Sequence, residues 1–254
     1  MVTFTSSEKS GCVSSYILTS GTSSLLIDVP MAVSDARGLA DTIVKLNRHV
    51  KALLILDSDP YHYLGASEIK KRFPDIKIIS TSAVSLDIAR FGRTASTQFK
   101  DKLGNEMPAQ LLLPDSLVSG EVTLGYYTLA IRSFTNGQGD TKTILYEPKQ
   151  KMLFAGDLVY GKVHPDLANI NINEWMKQLQ EAKKYDLLQV YPGHGYPGDK
   201  FIIDENMNYI ETFKRSLLTN DPFAVRDIVN SYFKGYKMPQ FLKASIVKFL
   251  GKGY

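Results

Sequence analysis

Cysteine is nearly absent from this 254-residue chain, and its one example, Cys12, can neither close a disulfide within the chain nor supply a thiolate zinc knuckle. The thiol reads as a small buried structural residue. Long apolar runs are also missing. Residues 52–56 and 111–113 are among the longest, far short of the roughly 20 that a bilayer-crossing helix needs, so the chain reads as soluble with no membrane partner. A net charge of +4 comes from scattered lysines rather than a basic block, which argues against a nucleic-acid partner. Residues 1–10 are polar and lack the apolar centre of a secretory leader. A chain stripped of its leader would read the same, so the localisation is cytoplasmic or left open. Histidine is scarce as well, at 4 residues.

What is present is an ordinary globular composition, 44% apolar and 22% charged, at a length that buries a sizeable core unaided. Residues 16–28 read as two β-runs around Ser20-Gly21-Thr22, closing on Asp28 and Pro30. Helical spacing follows over 34–50, then the apolar run Ala-Leu-Leu-Ile-Leu at 52–56, too short for a helix and read as a strand buried on both faces. Residues 66–73 and 82–99 read as helices around a strand at 76–79. Period-2 runs occupy 110–134 with Gly120 and Gly125 as turns, and further strands are expected at 143–146 and 152–154. A helix at 174–184 and a strand at 187–190 complete the pattern, which is β-rich, α/β, β-rich, α/β. That order predicts an α/β fold, an αββα sandwich over residues 1–200. Amphipathic stretches at 209–218, 223–233 and 239–250 predict a C-terminal helical cap, residues 201–254, packed on the sandwich, with a homodimer through the cap left open.

Three segments after expected strands hold much of the ionisable chemistry: Asp57-Ser58-Asp59-Pro60-Tyr61-His62, Gly156-Asp157 and Tyr191-Pro192-Gly193-His194-Gly195-Tyr196. Read as loops, they can converge beyond the strand ends on one site.

In order, spacing and strand context these residues resemble the metallo-β-lactamase-fold superfamily over most of residues 11–200. That family has H-x-H-x-D-H after a strand, then a histidine within P-G-H-T-P-G-S, then G-D, then P-G-H-G. Gly156-Asp157 and Pro192-Gly193-His194-Gly195 match fully. Asp57, Asp59, Tyr61 and His62 align with the first motif, and Asn136 stands at the second loop's histidine. The resemblance implies that His62, Asp157 and His194 serve the second metal position. The first has lost its histidines to Asp57, Asp59 and Asn136. Val163-His164-Pro165 resembles a segment found after G-D-L-V in one branch of the superfamily.

The expected site is thus one divalent metal (zinc, manganese or iron) on His62, Asp157 and His194, or no metal. Two imidazoles and a carboxylate leave coordination positions for water. Asp59 is the candidate general base, with Asp57 as its neighbour or an alternative oxygen ligand, and the Tyr61 phenol is either in the site or packing its ring. Asn136, His164 and Tyr196 are candidate small-molecule substrate contacts. Three carboxylates around one divalent ion leave a formally negative site, which disfavours a β-lactam and favours proton transfer, a harder cation or a substrate of positive character. Three functions follow: a hydrolase of small ester-, lactone- or thioester-like substrates, a metal-independent acid-base enzyme (isomerase, lyase or cyclase), or a non-catalytic binding protein.

Overall fold

The computed structural model describes residues 1–135 and 141–253. Strands β1 (Val2–Thr5), β2 (Ser14–Ser20), β3 (Ser23–Ile27), β4 (His49–Ile55), β5 (Lys77–Ser80) and β6 (Ser116–Leu117) form one sheet in that spatial order. The β1–β2–β3 pairings are antiparallel and those from β3 to β6 parallel. Strands β7 (Glu121–Leu124), β8 (Tyr127–Thr135), β9 (Thr141–Glu147), β10 (Met152–Gly161) and β11 (Gln189–Gly195) form the second sheet, antiparallel except for the parallel β10–β11 pair.

The apolar residues of these strands lie on both faces, so each sheet must be covered twice. Tyr16, Leu18, Leu25, Ile27, Leu54 and Leu56 of the first sheet pack with Leu129, Ile131, Leu145, Phe154 and Tyr191 of the second in a cluster between the sheets. The alternate residues Ile17, Leu26, Leu53 and Ile55 share a buried cluster with Leu39 and Ile43 of α1 (Val33–Lys45), Ile69 of α2 (Ala66–Arg72) and Ile88 of α3 (Ser82–Leu103). On the second sheet, α4 (Ile172–Ala182) donates the indole N–H of Trp175 to the Leu158 carbonyl at 2.9 Å. From α5 (Phe201–Ser216), the Asn206 amide closes on both the N–H and the C=O of Tyr160. The layers are helix, sheet, sheet, helix, the expected αββα sandwich. Helices α6 (Pro222–Tyr232) and α7 (Pro239–Leu250) follow, and their Val225, Val229, Leu242 and Ile246 enter the same apolar cluster as the outer sheet faces.

Several boundaries differ from the sequence expectation. Helix α1 stops at Lys45 and not at residue 50, because Asn47 takes a positive φ of 49° and β4 begins at His49. Residues 110–115 are not strand. Helix α5 begins at Phe201, where Asp199 accepts from the Phe201 N–H at 2.9 Å. Strands β10 and β11 run on through Gly156-Asp157 and Pro192-Gly193-His194, segments expected as loops. Their pairing continues with register shifts on either side of Gly156, so a bulged ladder and not a loop carries these residues. Among the described residues, no helix is long and apolar enough to cross a membrane.

Candidate metal centre

The first motif is built by its own carboxylates. Asp57 Oδ1 accepts from the Asp59 N–H at 2.8 Å, and Asp59 Oδ1 accepts from the Tyr61 N–H at 2.9 Å. With Pro60 at its first position, the chain closes a single 3-10 turn, Pro60–His62, that aims His62 inward. In β10, Gly156 has φ of 48° and breaks the register, setting the Asp157 carboxylate toward β11. A side chain at Gly193 would put Cβ 2.5 Å from Asp157 Oδ1 and 2.6 Å from the Gly156 carbonyl carbon, so β11 can pass there only with glycine.

These elements bring His62, Asp157 and His194 together, all buried. Asp157 Oδ1 lies 2.8 Å from His62 Nε2 and 3.1 Å from His194 Nε2, and the two Nε2 atoms are 3.2 Å apart. The far ring nitrogens determine the protonation pattern. His194 Nδ1 lies 2.7 Å from the Gly11 carbonyl oxygen and His62 Nδ1 lies 3.1 Å from Asp28 Oδ2. Both partners only accept, so each Nδ1 carries hydrogen and each neutral ring turns the lone pair of Nε2 inward. Two imidazole lone pairs and a carboxylate oxygen therefore converge, and Asp157 Oδ1 has no hydrogen-bond donor among the described residues apart from those rings. Such a trio requires a cation at its centre, either a proton or a metal ion.

The residues fit a metal ion. Imidazole and carboxylate suit zinc, manganese or iron, and a ligand histidine held by a carboxylate or a carbonyl through its other nitrogen is the usual supporting arrangement. Without the ion, burial opposes protonation of His62, but Asp157 and Asp28 outweigh it and hold the imidazole well above its ordinary pKa. Burial likewise opposes ionisation of Asp157, and the two imidazoles overcome it, holding the carboxyl well below its ordinary value.

A cleft of about 180 Å³ opens beside the trio, lined by Asp57, Asp59, Asp157, Asp166, Lys142 and Tyr160. Burial raises the Asp59 carboxyl, and the Asp157 charge adds to that against the opposing pull of His62. Burial also raises Asp166, more than the Ala168 N–H hydrogen bond lowers it.

Of the sequence candidates, His62, Asp157 and His194 form the trio, and Asp57 and Asp59 line the cleft while also shaping the turn. Tyr61 packs edge-on against Phe99, Phe241 and the His194 ring of the trio, and its hydroxyl accepts from Lys102 Nζ at 2.8 Å. His164 does not line the cleft. It is buried with its Nδ1 2.8 Å from the Tyr209 hydroxyl and its ring against Tyr236, and burial lowers its pKa to about 4. Tyr196 is 60% exposed, away from the cleft lining. Asn136 lies outside the described residues.

Sequence reasoning missed Asp28, Gly11, Lys142 and Asp166. Asp28 carried a signal, an aspartate closing a strand before a proline, but nothing linked it to His62 34 residues later. Lys142 stands just ahead of the strand expected at 143–146, with no motif around it.

No protein-family model matches the chain. Among solved structures it is similar to a metallo-β-lactamase from Pontibacter korlensis at 19% identity and TM-score 0.63, covering 78% of this chain and 87% of that one. It is also similar to the DIM-1 metallo-β-lactamase in a structure exposed to ceftazidime, at 18% identity and TM-score 0.56 over 79% of this chain and 85% of that one. TMB-1 is comparable at 19% and 0.56, over 78% and 86%. At these identities the likeness establishes the fold. The chain is built on the metallo-β-lactamase fold.

Proposed function

We propose that this chain is a hydrolase with a single metal centre on His62, Asp157 and His194, acting on a small ester-, lactone- or thioester-like substrate. The observation that carries the reading is the convergence of His62 Nε2, His194 Nε2 and Asp157 Oδ1 with both distal nitrogens committed to acceptors. When bound there, a divalent ion supplies Lewis acidity and lowers the pKa of water. Asp157 and the two imidazoles would hold it, Asp28 and Gly11 fix the rings, and the buried strands behind them exclude bulk water. Asp59 lines the cleft, and its raised carboxyl, a stronger base than an ordinary aspartate, supports its reading as the group that would take a proton from the attacking water.

Elemental analysis of wild type and His194→Ala tests the centre. About one equivalent of zinc, manganese or iron is expected in wild type, and little in the variant. A panel of aryl esters, lactones and thioesters, each assayed with and without chelator, tests the chemistry. Chelator-sensitive turnover that falls roughly 10²-fold or more in Asp59→Asn is expected. Wild type that takes up no metal after loading overturns the proposal.

A second reading is favoured by the raised pKa of His62, because a proton can occupy the centre of the same trio. The cluster would then perform metal-independent acid-base chemistry such as isomerisation or elimination. Chelator-resistant turnover supports that reading. Failure of every substrate together with tight ligand capture supports a non-catalytic binding protein.

A further inference from the structure

Lys142 is a buried lysine, 6% exposed, in a cleft otherwise rich in carboxylates. Burying an ammonium is costly unless anions and acceptors surround it, so its position calls for a reason. Its strand β9 meets the end of β4 at an antiparallel bridge that sets Lys142 directly across from Asp57. The bridge is secured by the Thr143 N–H donating to the Leu56 carbonyl at 2.9 Å. Residues facing each other in this way project to the same side of the sheet, which makes Asp57 and Lys142 a cross-strand pair of opposite charge. The Lys142 Nζ reaches further, donating at 3.2 Å to the backbone carbonyl of Asp157. The ammonium thus bonds to the Asp157 strand, from a residue whose backbone is bridged to Asp57. Asp57, Asp59, Asp157 and Asp166 bring negative charge to the same cleft, and no histidine is among its lining residues. The one group of three metal-ligating side chains among the described residues is the histidine trio, and neither Asp57 nor Asp59 joins it.

We propose that Lys142 is a built-in counter-cation. Its ammonium sets a positive charge in the cleft on the strand bridged to Asp57 and thereby restricts the centre to one metal ion. This rests on the single-metal reading above and extends it to the question of why a cleft with four carboxylates would stop at one ion. The class of ion it excludes is a hard divalent cation with oxygen ligands, since the cleft carboxylates outside the trio, Asp57, Asp59 and Asp166, offer only oxygens. Coulomb repulsion from a fixed ammonium in a partly buried cleft is strong enough to decide such an occupancy.

Manganese(II) is the probe, counted by equilibrium dialysis and by the loss of the free-ion paramagnetic resonance signal. In Lys142→Met, which keeps the unbranched side chain to within one atom of its length and removes its charge, bound manganese is expected to rise from one equivalent to two. Lys142→Arg, keeping the charge, is expected to stay at one. The double variant Lys142→Met with Asp57→Asn is expected to return to one, because the carboxylate that the ammonium faced is gone. Should Lys142→Met fail to fold, Lys142→Gln carries the same expectation. A neutral variant that binds no more manganese than wild type overturns the proposal. Wild type alone reports on the metal centre, and the difference between variant and wild type reports on Lys142, so the two readings fail separately.

Discussion

The Gly11 carbonyl oxygen lies 2.7 Å from His194 Nδ1, and across 183 residues of chain it decides which nitrogen of that ring carries the hydrogen. Gly11 can present its carbonyl there because its φ is 69°, and a side chain would meet Tyr61 Cδ1 at 2.9 Å and His194 Cε1 at 3.2 Å. Gly11→Ala is therefore expected to cost about 1–2 kcal/mol of stability from the left-handed backbone alone. It should also weaken zinc binding by roughly 10–100-fold by disturbing the ring's orientation. Competition with a chromophoric chelator measures the second effect, and an unchanged affinity would show that Gly11 serves only the turn.

Asp28 plays the matching part for His62. Its Oδ2 lies 3.1 Å from His62 Nδ1, and its Oδ1 accepts from the Leu56 N–H at 2.8 Å. Its φ of 55° is one that asparagine adopts readily, so Asp28→Asn should keep the turn and the Leu56 bond while removing the charge. The expected result is a fall in the His62 pKa of the metal-free protein by about one unit or more, followed by imidazole NMR. An unaltered titration would assign the raised pKa to Asp157 alone.

The sandwich was legible because its strands carry apolar residues on both faces and its turns carry glycine, as at Gly120 and Gly125, where φ is 72° and 57°. The trio was legible because His62, Asp157 and His194 sit in short motifs next to those strands. Its supports were not. Asp28, Gly11 and Lys142 act through contacts between elements far apart in sequence, which no local pattern encodes. His164 misled for the opposite reason, since a motif-like setting surrounds it while the fold turns its ring into an aromatic cluster with Tyr209 and Tyr236.

That cluster gives His164 a pH signature separate from the site. Burial lowers its pKa from 6.5 to about 4, so below about pH 6.5 the unfolded chain binds a proton that the folded chain refuses. Its contribution to stability is unchanged above that range and is lost as pH falls toward 4. The full loss is on the order of 3 kcal/mol. Urea unfolding of wild type and His164→Gln between pH 7 and about pH 4 should show the wild-type curve falling more steeply. Parallel curves would mean that His164 is protonated in the folded state.

Proton release tests the trio most directly. In the metal-free protein the Asp157 and Asp28 carboxylates hold His62 protonated well above its ordinary range, while a ligand imidazole must be neutral. Zinc uptake near neutral pH should therefore expel about one proton from the cluster, beyond any lost by the ion's own water. Calorimetric titrations in buffers of different ionisation enthalpy measure that number as the slope of observed against buffer enthalpy. The slope should drop in Asp28→Asn, because a less basic His62 has already lost part of its proton before the metal arrives. A slope near zero in wild type would mean that the two imidazoles stand neutral beside the Asp157 carboxylate, and that something other than a proton balances the metal-free trio.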